Sequence, residues 1–384
     1  MKAKRFLTFF MACILALSLV SCNDTDDFDA DGSADTTAAQ TTEAPKVIVT
    51  ETYKLTEILD KVKTLGRTSA EDVGLACDYS SSGIEFNAYV EGALTIDVTV
   101  AKGNEDSRED DCYFALYIDG ERSEQRFKAE KNATTTLTLA TFETGEVHNI
   151  RFVRQTEARS ALAALATVSF TGYFEEKPAD AKYYIEFMGA SNTAGYGNLI
   201  LGGTATVAEK AENQDSTQSY TYLTAQKLGA DYSMISVSGI GVVKGYRKYP
   251  IGDVFGASSY YRNKAVDFVP TRTPDLIVMA VGSNDESNGT TMAEYKQGVI
   301  DLITKARMTY GDNIPIVWVY YTTDEQYRAA AKEAIAVCGG EGSDIYDVEV
   351  LFNKLGGNKH PDLASHIAGA ETLSAFIQSK NILK

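Results

Sequence analysis

Residues 183–198 read YYIEFMGASNTAGYGN, and the fold turns on the reading of this stretch. Tyr183, Tyr184, Ile185, Phe187 and Met188 make an apolar run of strand length. Gly189 and the small Ala190 then permit a sharp turn that leaves Ser191 at the strand's C-terminal end. In an open α/β sheet, ligands bind at that edge. A serine hydroxyl is inert by itself, so a base and donors for developing negative charge must come from elsewhere in the chain. Helix capping is the plainer role for a serine after a strand, and only its company can raise it above that.

Downstream, apolar strand candidates at 183–188, 232–237, 276–281, 316–321 and 345–350 alternate with helix candidates at 216–228, 258–269, 292–310, 324–338 and 361–379. This alternation predicts a three-layer α/β domain over 177–384, with a flavodoxin-like parallel sheet wrapped by helices. In the last helix Leu363, Ile367, Ala370, Leu373 and Ile377 recur every three or four residues and predict one buried face.

Upstream, alternating β-branched stretches at 84–89, 94–100, 113–118, 135–139 and 149–153 are separated by turn signals. These are Ser82-Gly83, Lys102-Gly103-Asn104, Asp119-Gly120 and Thr144-Gly145. Many short strands at such spacing predict a β-sandwich of jelly-roll form over 47–176. Residues 1–22 begin with Lys2, Lys4 and Arg5, continue apolar to Val20 and close on Leu19-Val20-Ser21-Cys22, the pattern of a secretory leader. A small residue followed by cysteine resembles the bacterial lipobox, so lipidation of Cys22 is expected. Residues 23–46 hold one aromatic and hardly any aliphatic bulk, which predicts a flexible tether between a membrane surface and the folded part.

The 384 residues carry a formal charge of -17, which argues against nucleic acid and polyanionic substrates and for a neutral one. Beyond the leader the cysteines are Cys77, Cys112 and Cys338, without metal-type spacing. Cys77 and Cys112 could pair, but buried free thiols are expected. HExxH and paired-cysteine motifs are absent, and no metal or other cofactor is expected.

Three further places surround Ser191 with chemistry. Ser236-Val237-Ser238-Gly239-Ile240-Gly241 follows the second strand, and its glycines let a backbone N–H approach a ligand. Gly282-Ser283-Asn284-Asp285 follows the third, where Asn284 can aim its amide at an oxyanion or simply make a turn. Asn358-Lys359-His360-Pro361 comes last, with Pro361 suited to the first position of a helix and His360 just before it. Of the other histidines, His148 lies in the β-rich half and His366 within the last helix, so His360 is the well-placed base. Trp318 reads as core, whereas Tyr196, Tyr246, Tyr249 and Tyr321 could offer faces to sugars.

In the order Ser191, Gly239, Asn284, His360, these residues resemble the SGNH hydrolase pattern over 183–384. Gly66-Arg67, SSSGIEFNAYVEGALTIDVTV, CYFALYIDGER and HNIRFVRQTEA, together with GYGN, SGIG and HPDLASH, resemble carbohydrate esterase family two, whose jelly roll precedes an SGNH domain. The resemblance implies deacetylation of plant-wall polysaccharide such as xylan or mannan. Ser191 would be the nucleophile and His360 the base, with the N–H groups of Ser191 and Gly239 and the side chain of Asn284 as the oxyanion hole; Gly241 is the alternative to Gly239. With the leader and the lipobox-like Ser21-Cys22, an extracellular, cell-surface bacterial lipoprotein is expected, a monomer that touches the membrane only through the lipid.

This chain departs from the pattern at Ala190, where the first block usually has an acid. It departs again before His360, where Asn358 and Gly357 stand in place of a carboxylate. A main-chain carbonyl or the Asn358 amide oxygen can accept the Nδ1 proton and fix the tautomer, so a Ser-His dyad is expected, with Asp362 and Asp285 as remote alternatives. Two other classes compete: a catalytically impaired relative that only binds polysaccharide, and a lipase or thioesterase on the same fold.

Overall fold

A computed structural model describes residues 46–204, 210–262, 267–268, 270–321 and 324–384. The expected leader, Cys22 and all but the end of the tether lie outside the described residues. The antiparallel strands come first: β1 (Val49–Lys54), β2 (Lys63–Leu65), β3 (Ser69–Glu71), β4 (Gly74–Ala76), β5 (Gly83–Ala101), β6 (Cys112–Ile118), β7 (Glu121–Ala129), β8 (Ala133–Arg154) and β9 (Leu162–Phe174). They form one sheet in the order β3-β4-β9-β5-β8-β6-β7, with β1 on β9 and β2 on β5. Along β5 alternate residues Ile84, Phe86, Ala88 and Val90 are buried, and so, past a bulge, are Leu94, Ile96, Val98 and Val100. Both halves of the strand share one core with Phe114, Phe152, Leu165 and Phe170, so the sheet curls around its own apolar filling.

Two turn signals part company here. Asp119 and Gly120 both have positive φ, 52° and 84°, and join β6 to β7 in a tight hairpin. Thr144-Gly145 makes no turn. The stretches expected at 135–139 and 149–153 are one strand, and Gly145 serves a close approach: a Cβ there would stand 2.0 Å from the Tyr89 hydroxyl.

The second sheet is parallel, with β10 (Tyr183–Gly189), β11 (Ala230–Ser236), β12 (Leu276–Ala280), β13 (Ile316–Tyr320) and β14 (Ile345–Glu349) in the order β11-β10-β12-β13-β14. The winding reverses at β10, which opens a crevice beyond its C-terminal end. Ile277, Met279, Ile316 and Trp318 share a core with the helices Met292–Tyr310 and Glu325–Val337. Leu276, Val278, Val317 and Val319 share another with the helices Tyr220–Lys227 and Leu363–Ser379. Trp318 is core, as its apolar strand predicts.

Three helix expectations are corrected. Residues 258–262 are not helical, because the Tyr260 and Tyr261 carbonyls accept from the Asn104 side chain (3.2 Å) and N–H (2.7 Å) of the β5–β6 loop instead of from their own turn. The last helix begins after Pro361, at Leu363, since the Asp362 carboxylate caps the Ser365 N–H at 2.9 Å. Its buried face is also rotated: Ile367 is exposed, while His366 and Gly369 point inward, where a Cβ on Gly369 would meet the Phe352 ring at 2.7 Å.

The antiparallel and parallel parts are packed through buried polar groups. Glu186, in the middle of the apolar β10, is fully buried against Arg67, with Nη2 to Oε2 at 2.8 Å. Arg67 also donates to the carbonyls of Phe255 (2.6 Å) and Ala257 (3.0 Å), and Ser233 Oγ donates to Glu186 at 3.0 Å. Such a pair survives burial because most of its donors and acceptors are filled, Arg67 Nε being the one guanidinium nitrogen without a partner among the described residues. Residues Lys46–Lys384 form one compact unit. Cys77 and Cys112 are buried and free; between them lies Arg154, which donates to the Cys77 carbonyl at 2.8 Å and the Cys112 sulfur at 3.4 Å.

Candidate active site

The turn that delivers Ser191 closes only on glycine, because a Cβ at Gly189 would stand 2.0 Å from Thr193 Oγ1. Ala190 is buried in the apolar cluster that includes Met188 and Ile235, where an acid would lack a partner. Ser191 opens a single helical turn, Ser191–Ala194, so its N–H is one of the orphan donors of a helix start.

His360 Nε2 lies 2.8 Å from Ser191 Oγ, and Nδ1 lies 2.9 Å from the main-chain carbonyl oxygen of Asn358. A carbonyl can only accept, so Nδ1 carries the proton and Nε2 presents its lone pair to the serine hydroxyl. That carbonyl is aimed by two consecutive left-handed residues, Asn358 (φ 51°) and Lys359 (φ 57°). The loop is pinned by main-chain bonds: Gly357 N–H to Gly197 O (2.8 Å), Asn358 N–H to Thr204 O (2.9 Å) and Gly356 N–H to His360 O (2.8 Å). Burial pushes the imidazole below its ordinary range, partly offset by the carbonyls of Asn358 and Gly357, which favour the charged ring.

Gly239 has φ +88°, and the space over it is taken by Arg247, whose Nε would stand 3.0 Å from any Cβ there. Its N–H makes no hydrogen bond among the described residues, while its carbonyl accepts from Tyr246 N–H at 2.7 Å. Asn284 Nδ2 gives one hydrogen to the Ile240 carbonyl (2.7 Å) and keeps the other. Gly241, the alternative donor, is packed against the Lys244 carbonyl, 1.9 Å from where a Cβ would be. Ser191, Gly239, Asn284, Asn358 and His360 thus line one cavity of about 320 Å³ with Tyr196, Ser238, Tyr246, Arg159 and Arg247.

Neither remote carboxylate serves His360. Asp362 is spent on its helix cap and on Asn353 Nδ2 at 2.8 Å. Asp285 is fully buried and accepts the N–H groups of Val242, Val243 and Lys244 at 2.7, 2.8 and 2.9 Å. Burial raises its pKa, against which these N–H groups pull down. His366 is fully buried, accepts the Tyr220 N–H on Nδ1 at 3.2 Å, and is held neutral by burial down to about 3. His148 pairs with Asp119 at 2.7 Å in the antiparallel sheet. Among the tyrosines, Tyr196 is buried with its ring 4.6 Å from that of His360, Tyr246 and Tyr249 are exposed, and Tyr321 donates to the Ala280 carbonyl at 2.8 Å.

Four neighbours escaped the sequence reading. Glu157 is buried and accepts the Ser238 N–H at 3.2 Å, next to Gly239. Arg159 and Arg247 line the same cavity, and Asp106, outside it, accepts from Arg247 Nη1 at 3.4 Å. Glu157 lies in the quoted HNIRFVRQTEA and Arg159 just after it, while Asp106 and Arg247 come from loops far away in sequence that no local pattern marks.

Residues 64–175 match the family description Carbohydrate esterase 2 N-terminal. The cellulase/esterase CelE of Acetivibrio thermocellus is 29% identical over 337 residues, covering 80% of this chain and 38% of that protein. The chain therefore spans about two fifths of that relative's length. The acetylxylan esterase/glucomannan deacetylase of Cellvibrio japonicus is 24% identical over 255 residues, covering 61% of this chain and 69% of that one. In structure, a family two carbohydrate esterase from Clostridium thermocellum, solved with cellohexaose, superposes with a TM-score of 0.73 at 24% identity over 83% of this chain and 99% of that one. Both of these relatives are named as esterases. The chain is similar to the family two carbohydrate esterases in sequence and, across both of its sheets, in fold.

Proposed function

We propose that the chain is a serine esterase that removes O-acetyl groups from a plant-wall polysaccharide such as acetylated xylan or mannan. The observation that carries this is the relay Ser191 Oγ, His360 Nε2 and Nδ1, and the Asn358 carbonyl, at 2.8 and 2.9 Å. His360 takes the hydroxyl proton as Ser191 Oγ bonds to the acetyl carbon. The oxyanion is held by the N–H groups of Ser191 and Gly239 and by Asn284, each such donor being worth about 100-fold to 1000-fold in rate. Collapse breaks the bond to the sugar oxygen, which receives the proton from His360. Water, deprotonated by the same ring, then releases acetate and restores Ser191.

The pair works as a dyad. The carbonyl fixes the tautomer as a carboxylate would, but adds no full charge to stabilise the imidazolium. In this reading 47–176 is a jelly-roll domain and 177–384 the SGNH domain, tethered outside a bacterial cell through lipid on Cys22 and acting as a monomer. Relatives named as acetylxylan esterases and a glucomannan deacetylase support the substrate class.

Acetate release from p-nitrophenyl acetate and from acetylated xylan, wild type beside Ser191→Ala, tests the reading. Turnover lost with Ser191→Ala is the expected result. A wild type that binds xylan but releases no acetate would leave only a polysaccharide-binding role, and preference for long-chain over acetyl esters would favour a lipase.

A further inference from the structure

We infer that Arg159 and Arg247 form a subsite for a carboxylate, so that the acetylated glycan this cavity accepts carries a uronate beside the acetylated sugar. The inference deepens the esterase reading and rests on it for the position of the acetyl group. Both arginines line the cavity of Ser191 and His360. The Arg247 guanidinium lies over the glycine of the hole, with Nε and Nη2 3.0 and 3.5 Å from where a Cβ on Gly239 would be. Its side chain is only 10% exposed, yet Nε has no hydrogen-bond partner among the described residues. Arg159 Nε is likewise buried without a partner, and among the described residues the Arg159 side chain makes no ion pair.

Buried guanidinium donors left open are costly, and their planar fork matches a carboxylate in a way that sugar hydroxyls do not. The carboxylates nearby do not fill the role. Asp106 takes only Arg247 Nη1, at 3.4 Å, and Glu157 is turned to the Ser238 N–H (3.2 Å) and to Gln214 Nε2 (3.4 Å). The cavity wall thus inverts locally the sign of a chain that is -17 overall. That opposition sets the ligand's density of charge. A polyuronate would be repelled at every sugar, whereas a neutral backbone with an occasional uronate meets the arginines and little else.

The test uses the Ser191→Ala protein, so that nothing is turned over, and calorimetric titration with two xylo-oligosaccharides of equal length, one bearing a single glucuronate branch and one unbranched. The branched ligand should bind at least tenfold tighter at low salt, the advantage shrinking as salt rises. Adding Arg159→Gln should bring the ratio below about twofold, and Arg159→Lys should keep part of it. Equal affinity for the two ligands, or a ratio untouched by Arg159→Gln, overturns the subsite. Acetate release by the wild type is measured separately. Its failure with the binding ratio intact would remove the esterase reading while supporting the subsite.

Discussion

Two loops meet over Ser191, and they are held by opposite means. The loop that carries His360, Gly356 to Pro361, is pinned among the described residues by main-chain bonds, and the acceptor facing Nδ1 is the Asn358 carbonyl. The loop that carries the oxyanion donor, Gly239 to Lys244, is gathered around the buried carboxylate of Asp285, which takes three N–H groups. On the proposed reading, the charge a Ser-His-Asp enzyme would spend on its histidine is here spent on the loop of the oxyanion donor. Orientation of an imidazole needs only a fixed acceptor, whereas a loop whose N–H groups converge needs an anion to converge on.

The largest effect should come from the base itself. His360→Ala should cut kcat on p-nitrophenyl acetate by about 10,000-fold. In the wild type the rate should rise with pH as the ring loses its proton, through a midpoint below the ordinary 6.5, because burial disfavours the imidazolium. A midpoint at or above 7 would show that a charged partner, and not a carbonyl, faces Nδ1.

His366, on the helix that follows the base loop, sharpens the contrast between an orienting and a structural histidine. Its folded pKa of about 3 lies below the unfolded value, so the unfolded chain binds the extra proton. Its contribution is therefore complete above about pH 6.5 and is lost as pH falls toward 3, amounting to about 5 kcal/mol over that window. His366→Asn, which can still accept the Tyr220 N–H, should flatten the acid limb in urea unfolding measured at several pH values while leaving the kinetic midpoint in place.

Asp285→Ala should cost about 100-fold in kcat by releasing the donor loop, and roughly 2–3 kcal/mol of stability from orphaned N–H groups. Loss of stability without loss of kcat would separate that carboxylate from the hole. The smallest effect belongs to Asn358→Asp, which should change kcat by less than about threefold, since the acceptor is the main chain and not the amide. A gain of a hundredfold would mean that the carbonyl is a poor orienter.

The alternation of apolar strands and helices was enough to predict the parallel sheet, because buried parallel strands must be apolar on both faces; each of the five predicted strands lies within two residues of an observed one. Ser191, Gly239, Asn284 and His360 were singled out by their places near strand ends or a helix start and by a family resemblance, and the structure brings the four to one cavity. Glycine was ambiguous. Gly120 and Gly145 look alike in sequence, yet one turns the chain and the other makes room for Tyr89, a distinction that depends on a strand more than fifty residues away. The helix expected at 258–269 is absent over 258–262 because Asn104, from the β5–β6 loop, claims the Tyr260 and Tyr261 carbonyls.

By itself, then, the sequence determined which residues could attack, accept a proton and donate to an oxyanion, because those capacities belong to side-chain chemistry and to local turns. Tertiary structure alone decided which atom orients His360, which carboxylate serves the hole and which arginines wall the cavity. Those are relations across space between groups with no fixed spacing in the chain, and only the packing of the two sheets brings them within hydrogen-bonding reach.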